Sequence, residues 1–154
     1  MITIKPSPTA DTRTCDWSKV TKEKLLWSSY DHVRDVEKGL SLFVEMLHSA
    51  ALHHDHDKFS DIDGFHRDFQ TGFKQTEWWD SHRKVNRHHL NVPDGVPADV
   101  NLIDVLDHIT DCVMAGMARS GSVYELSLPD ELLQRAFANT VELLKKNVQV
   151  KDAP

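Results

Sequence analysis

Residues 31–58 read DHVRDVEKGLSLFVEMLHSAALHHDHDK, and this stretch decides the fold. Its apolar side chains recur at intervals of three and four residues, the period of an α-helix. They are Val36, Leu40, Phe43, Leu47 and Ala51. His32 and His54 lie on the same stripe, and one unbroken helix would hold them roughly 33 Å apart. If both bind one metal ion, the chain must bend between them, most naturally at Gly39, since Gly often ends a helix.

The rest of the chain shows the same helical period and no alternation typical of a sheet. Capping residues and apolar spacing predict further helices over about 16–29, 61–73, 77–89 and 98–119, with a last one from Pro129. We therefore expect an all-α fold, a single-domain helical bundle of about five to six helices. It would span residues 16–150, after an irregular N-terminal arm over residues 1–15 and before a frayed tail from Lys151.

Composition narrows the class of protein. The chain has 154 residues, 40% of them hydrophobic, enough for one domain with a core. Its formal charge of −6 argues against binding a nucleic-acid duplex. There is no apolar run of membrane-spanning length and no signal-peptide pattern. Cys15 and Cys112 form no close pair, so we expect a protein of the reducing cytoplasm without disulfides. The sequence leaves open whether it forms a homo-oligomer.

Histidine is the unusual component, with ten residues, eight of them between His48 and His89. The adjacent pair His54-Asp55 offers an imidazole nitrogen and a carboxylate, which suit a divalent metal ion. On helix 77–89, His82 and His89 share a face with Trp78 and Val85, so we expect the two histidines to point inward and to need buried partners.

On helix 98–119, Asp107 and Asp111 lie among apolar neighbours, where a carboxylate is costly unless it binds a cation. Other candidates have simpler readings. His53 and His56 would face solvent or support the site, His48 and His66 would lie at the surface, and His108 would be structural. Asp61 and Asp63 would belong to turns or caps.

The ordered set resembles the HD-domain superfamily of metal-dependent phosphohydrolases, whose pattern is His…His-Asp…Asp on helices. The segment His54-Asp-His-Asp-Lys58 looks like the HDxxK segment of its binuclear members, and Asn86-Arg-His88-His89 looks like their paired histidines. The chain is also similar to small HD-like proteins of phages and bacteria that carry HDxSKF, then W…H…NxHH. The resemblance covers about residues 30–120.

The resemblance implies two divalent ions of Mn, Fe, Ni, Co or Mg. His32, His54, Asp55 and Asp111 would hold the first ion. His82, His88 and His89 would complete the second site, with Asp55 bridging the two. Asp107, one turn before Asp111, is the alternative last ligand.

The implied activity is hydrolysis of a nucleotide or another small phosphate ester, because paired metal ions activate water and bind phosphate oxygens. Asp55 and Lys58 would be catalytic. Lys58 would contact the phosphate, or else only pair with Asp57. Arg83 and Arg87 would bind the rest of the substrate, or else lie solvated on the helix surface. Two alternatives stay open: a di-iron HD-like oxygenase, and a non-catalytic, metal-stabilised module that binds a nucleotide or a partner protein.

Overall fold

The computed structural model describes residues 1–7, residue 9 and residues 15–151, and these are predominantly helical, as expected. In chain order the elements are β1 (Ile2–Ile4), α1 (Lys22–His53), α2 (Asp57–Ser60), α3 (Ile62–Gln70), α4 (Glu77–Val85), α5 (Leu102–Ser120), α6 (Asp130–Lys146) and β2 (Val148–Val150). Short 3₁₀ turns occupy Trp17–Lys19 and Pro93–Gly95. Among the described helices, none is long and apolar enough to cross a membrane.

The described chain divides into two compact units, Met1–Glu45 with Glu142–Pro154, and Met46–Val141. In the first unit, β1 pairs in parallel with β2, with Ile2 opposite Val148. Residues 2–4 were expected to be irregular, and that expectation is wrong. Their partner strand lies at the far end of the chain, so no local pattern indicates it. The rest of the expected arm falls partly on residues 8 and 10–14, outside the described residues, as do residues 152–154 of the expected tail.

Helix α1 is continuous over 32 residues, and the expected bend at residues 37–39 is not present. Gly39 lies inside the helix, where an added Cβ would be 3.7 Å from the Leu144 side chain, an ordinary packing distance. The two helices expected over 16–29 and from residue 31 are therefore one. The glycine serves close packing in the first unit and does not end the helix.

The second unit has a small apolar core built from Leu90, Val100, Val105, Leu132 and Ala136. Helix α5 begins at Leu102, four residues later than expected, because Asn101 and Asp104 form a capping box. In a capping box, two side chains satisfy backbone N–H groups that have no partner within the helix. The Thr140 hydroxyl of α6 accepts a hydrogen bond from the Leu102 N–H at 2.9 Å. These contacts fix the start of α5 and therefore the positions of the carboxylates further along it.

Helix α4 ends at Val85, four residues earlier than expected. Asn86 takes an extended backbone conformation with φ −96° and ψ 110°. His88 and His89 therefore lie in the loop after α4, and the expected shared helical face holds only for Trp78 and His82, which are buried. Val85, expected on the same face, is exposed.

Candidate metal centre

The centre forms where the chain leaves α1 and turns into α2. Asp55 sits at this turn with φ 52°, in the left-handed region that Asp tolerates better than most residues. Its backbone N–H donates a hydrogen bond of 3.1 Å to the side-chain oxygen of Asn86. The Asn86 amide group in turn donates to the His82 carbonyl oxygen at 3.0 Å. One asparagine thus ties the turn after α1 to the end of α4.

Two groups of side chains offer metal-ligand atoms. Within each group, these atoms all lie within 4.8 Å of one another. The first group is His54, Asp55, His88 and Asp111, and the second is Asp55, His82 and His89. Asp55 belongs to both. Its Oδ1 atom lies 3.3 Å from His82 Nε2 and 3.6 Å from His88 Nε2. On the other side, His54 Nε2 lies 3.5 Å from Asp55 Oδ2 and 3.7 Å from Asp111 Oδ1.

Four of the atoms that converge here are buried without hydrogen-bond partners. Within the described residues, the buried side-chain atoms that lack a partner include Asp55 Oδ1 and the Nε2 atoms of His82, His88 and His89. His82 and His88 are almost inaccessible, with side chains 0% and 2% exposed. Such groups are rare in folded proteins because burying a polar atom without a partner is costly. Cations bound in the two groups would give each of these atoms a partner, so the residues present fit a metal centre.

The opposite ring nitrogens of two histidines are held by carboxylates. His54 Nδ1 donates to Asp107 Oδ1 at 2.8 Å, and His82 Nδ1 donates to Asp57 Oδ2 at 2.8 Å. Asp57 also accepts a hydrogen bond of 2.9 Å from the Asn86 amide. In metal sites this arrangement fixes the tautomer and aims the free Nε2 lone pair at the ion.

The four imidazole rings form a continuous row. Ring centroids are 4.2 Å apart for His54 and His88, 4.3 Å for His88 and His89, and 4.7 Å for His89 and His82. Trp78 closes the far end of the row, with its ring 4.7 Å from that of His82. Within this row, protonation of His88 or His89 is disfavoured, because the added charge would be buried beside other rings.

The titration behaviour follows from this packing. Burial and the neighbouring His88 and His82 lower the pKa of His89 to about 3. Burial, together with repulsion from His54, also lowers the pKa of His88. Burial would raise the pKa of Asp55, but the hydrogen bond from Lys58 and the nearby histidines outweigh it and hold that pKa below its usual value. Neutral imidazoles and an ionised carboxylate are the forms that bind metal ions.

The cationic side chains near the site differ in how firmly carboxylates of the chain hold them. Lys58 donates to Asp55 Oδ2 and stays 32% exposed. It does not pair with Asp57, the alternative that the sequence left open. The guanidinium group of Arg83 bonds to Asp80 and Asp94 at 2.5 and 2.7 Å.

The Arg87 guanidinium bonds to both carboxylate oxygens of Asp104 at 2.7 and 2.8 Å. Both arginines are thus held by carboxylates of the chain and are not simply solvated. These contacts support structural roles, and the expected contact with a substrate stays a prediction.

The structure brings together six of the seven expected metal ligands and leaves one apart. His32 lies within the continuous helix α1, so its distance from His54 along that helix is about 33 Å. The expectation that His32 joins the first site depended on a bend that α1 lacks. His88 groups with His54 and Asp111 and not with His82 and His89 as expected.

The expected second carboxylate and the lesser candidates can also be placed. Asp111 is in the first group, whereas Asp107 holds the far nitrogen of His54. His108 is buried and donates to the backbone oxygen of His88 at 2.8 Å, a structural role as expected. His53 bonds through Nδ1 to the Ser49 carbonyl, and His56 is exposed at the start of α2.

Asp57 and Asn86 were not assigned supporting roles from the sequence. Both occur within the quoted motifs, but the sequence gives no sign that Asp57 reaches His82, 25 positions away. A signal was nevertheless available. Each buried ligand histidine needs a partner for its second nitrogen, which makes the polar residues within the motifs, Asp57 and Asn86 among them, candidates for that role.

Comparison of the chain with known proteins found no matching family model, no matching curated protein and no matching solved structure.

Proposed function

We propose that this protein is a metal-dependent phosphohydrolase whose centre holds two divalent ions. The observation that carries the proposal is the position of Asp55, which contributes to both groups of ligand atoms at once. A carboxylate shared in this way is suited to bridge two cations. The pairing of an imidazole-rich group with carboxylates fits Mn, Fe, Co or Ni better than Mg, which prefers oxygen ligands.

The charge of the site supports an anionic ligand only when cations are bound. Asp55, Asp57, Asp107 and Asp111 surround the imidazoles, and Lys58 is the cationic group that bonds to this cluster. Without cations the site would repel phosphate. Metal ions invert the local charge and can therefore attract phosphate to a protein of net negative charge.

The side chains of the centre would have two roles, holding the ions and orienting the ligand imidazoles. His54, Asp55, His88 and Asp111 would hold one ion, and Asp55, His82 and His89 the other. When bound, such a pair of ions lowers the pKa of a water molecule and neutralises phosphate oxygens. Asp107 and Asp57 keep the imidazoles of His54 and His82 oriented.

Lys58 supplies the remaining interaction with the substrate. Its ammonium group lies at the partly exposed edge of the centre, where it can leave Asp55 Oδ2 and bind a phosphate oxygen. The two proposed catalytic residues are therefore Asp55, through the ions it bridges, and Lys58, through direct contact with the substrate.

The first test is metal content per chain, on protein purified without an affinity tag or chelator. We expect close to two ions, falling to none in Asp55→Asn and to one in His89→Ala, with His66→Ala as an exposed-histidine control. Phosphate release from p-nitrophenyl phosphate should follow metal content. A wild-type chain that binds no added divalent ion would refute the metal centre, and a fully loaded chain that cleaves no phosphate ester would refute the hydrolase.

The four imidazoles in two adjacent groups also suit iron, which keeps a di-iron oxygenase as the second candidate. The protein purified for the metal-content test also distinguishes the hydrolase from the oxygenase. Iron as the dominant metal, with a visible absorption band and no phosphate release, would favour oxygen chemistry. Bound metal with neither activity would favour a non-catalytic binding module for a nucleotide or a protein.

A further inference from the structure

A recess of about 500 Å³ opens beside the first group of metal ligands. Its walls come from the last turns of α1 and the middle of α5, all within the second unit. His54, Asp107 and Asp111 form the end of the recess at the metal centre. The remaining walls are almost entirely aliphatic, and their larger side chains are Leu47, Leu106 and Met114. A volume of this size falls within the range of small-ligand sites.

The walls of the recess offer little for a polar ligand to bind. Apart from His54, Asp107 and Asp111, Thr110 is the sole polar side chain among the described lining residues, and its hydroxyl already donates to the Leu106 carbonyl at 2.7 Å. No Phe, Tyr or Trp side chain is among the described lining residues, and the His54 ring is already stacked on His88, so a nucleobase would find little to stack on. No lysine or arginine lines it either, so additional phosphates would lack a counter-charge.

The two arginines expected to bind substrate do not supply this charge. Arg83 is held by Asp80 and Asp94, and Arg87 by Asp104. Lys58 bonds directly to the ligand cluster, so beyond the proposed ions it would contact one phosphate group. The cationic capacity therefore matches a single phosphate and not a nucleoside di- or triphosphate.

From this geometry we infer that the substrate is a phosphate monoester whose other part is a compact apolar group, an aryl ring or a short branched alkyl chain. The inference rests on the proposed function and narrows its substrate class. The phosphate binds at the centre and at Lys58, while the apolar group occupies the recess between α1 and α5. Transfer of that group from water to the aliphatic walls favours binding.

Binding of phosphonates, which the enzyme cannot hydrolyse, tests the inference without relying on activity. Isothermal titration calorimetry on the metal-loaded protein compares phenylphosphonate, methylphosphonate and adenosine 5′-monophosphate. We expect phenylphosphonate to bind at least tenfold more tightly than either of the others. Ala51→Leu, which places a larger side chain in the recess wall, should remove this preference and leave methylphosphonate binding unchanged. Ala138→Leu, at an exposed position on α6, is the matched control and should keep the preference.

The possible outcomes distinguish failure of the inferred substrate class from failure of the proposed phosphohydrolase function. Equal affinity for the two phosphonates, or tighter binding of the nucleotide, would overturn the apolar substrate class and leave the phosphohydrolase proposal standing. Failure of every phosphonate and of the nucleotide to bind the loaded protein would overturn both. The comparison on the wild-type chain decides the matter even if Ala51→Leu does not fold.

Discussion

Replacing Asp57 with asparagine should weaken metal binding, although Asp57 belongs to neither group of ligand atoms. Asp57 Oδ2 accepts the hydrogen bond from His82 Nδ1 at 2.8 Å, and the His82 side chain is 0% exposed. Asparagine keeps the shape and can keep one acceptor, but it loses the negative charge that strengthens this bond and makes the imidazole a better ligand. The change therefore acts on the metal through His82.

The expected magnitude follows from the role of such carboxylates. Loss of an orienting partner typically costs 10- to 100-fold in metal affinity, or about 1.4–2.8 kcal/mol. We expect that loss at the subsite of His82 and His89, with the subsite of His54 nearly unchanged. Asp107→Asn should give the converse result, because Asp107 holds His54 Nδ1 at 2.8 Å. The two variants together would assign each affinity to one group of ligands.

The assay is competition for Mn²⁺ or Co²⁺ against a chromophoric chelator, with two dissociation constants fitted to each titration. Asp63→Asn is the matched control, since Asp63 is an exposed carboxylate in the first turn of α3. Thermal unfolding of the metal-free variants checks that each one folds. If Asp57→Asn binds both ions as tightly as Asp63→Asn does, the carboxylate does not act through His82 and the reasoning is refuted.

Three further predictions test the surroundings of the site. Arg87→Lys should lower the free energy of unfolding by about 1 kcal/mol, because lysine cannot reproduce both bonds to Asp104, and should leave the metal content unchanged. Urea denaturation measures the stability, and elemental analysis measures the metal content. Removing bound metal with a chelator should lower the Tm measured by calorimetry, since a ligand of the folded state stabilises it, and an unchanged Tm would argue against binding. Helix α1 carries an exposed apolar stripe that includes Val33, Leu40 and Val44, at 63%, 59% and 65% exposure, and this stripe should support self-association. Sedimentation velocity should detect the association in the wild type and in the control Ser49→Glu, but not in Leu40→Glu.

The sequence predicted the helical class well because the apolar period is a local property. Each stripe at intervals of three and four residues specifies a helix whatever its neighbours do. The ends of those helices were less predictable because side-chain contacts decide them. Asn101 delays the start of α5, and Asn86 follows the early end of α4 with its amide bonded to Asp57. Neither contact can be inferred from spacing alone.

The clustering of the candidate ligands could be predicted in outline but not in detail. Residue type and order indicated His54, Asp55 and the later histidines, since few other roles bring so many imidazoles into one helical protein. His32 is not part of the site because its place there depended on a bend of α1 at Gly39. A glycine within a helix can serve close packing instead of ending the helix. The grouping of His88 with Asp111 depends on the path of a loop, which helical periodicity does not describe.

The exposure of the ligands explains how one centre can be both rigid and accessible. Its inner wall is formed by His82 and His88, whose side chains are 0% and 2% exposed and packed against neighbouring rings. Its outer side is formed by His54 and Asp111, at 27% and 33% exposure. Buried ligands would lose little mobility on binding an ion, which favours affinity, and a ligand molecule would approach the proposed ions from the side of the exposed pair. The aliphatic recess opens on that same side, so the groups that admit a substrate also adjoin the surface we propose to select it.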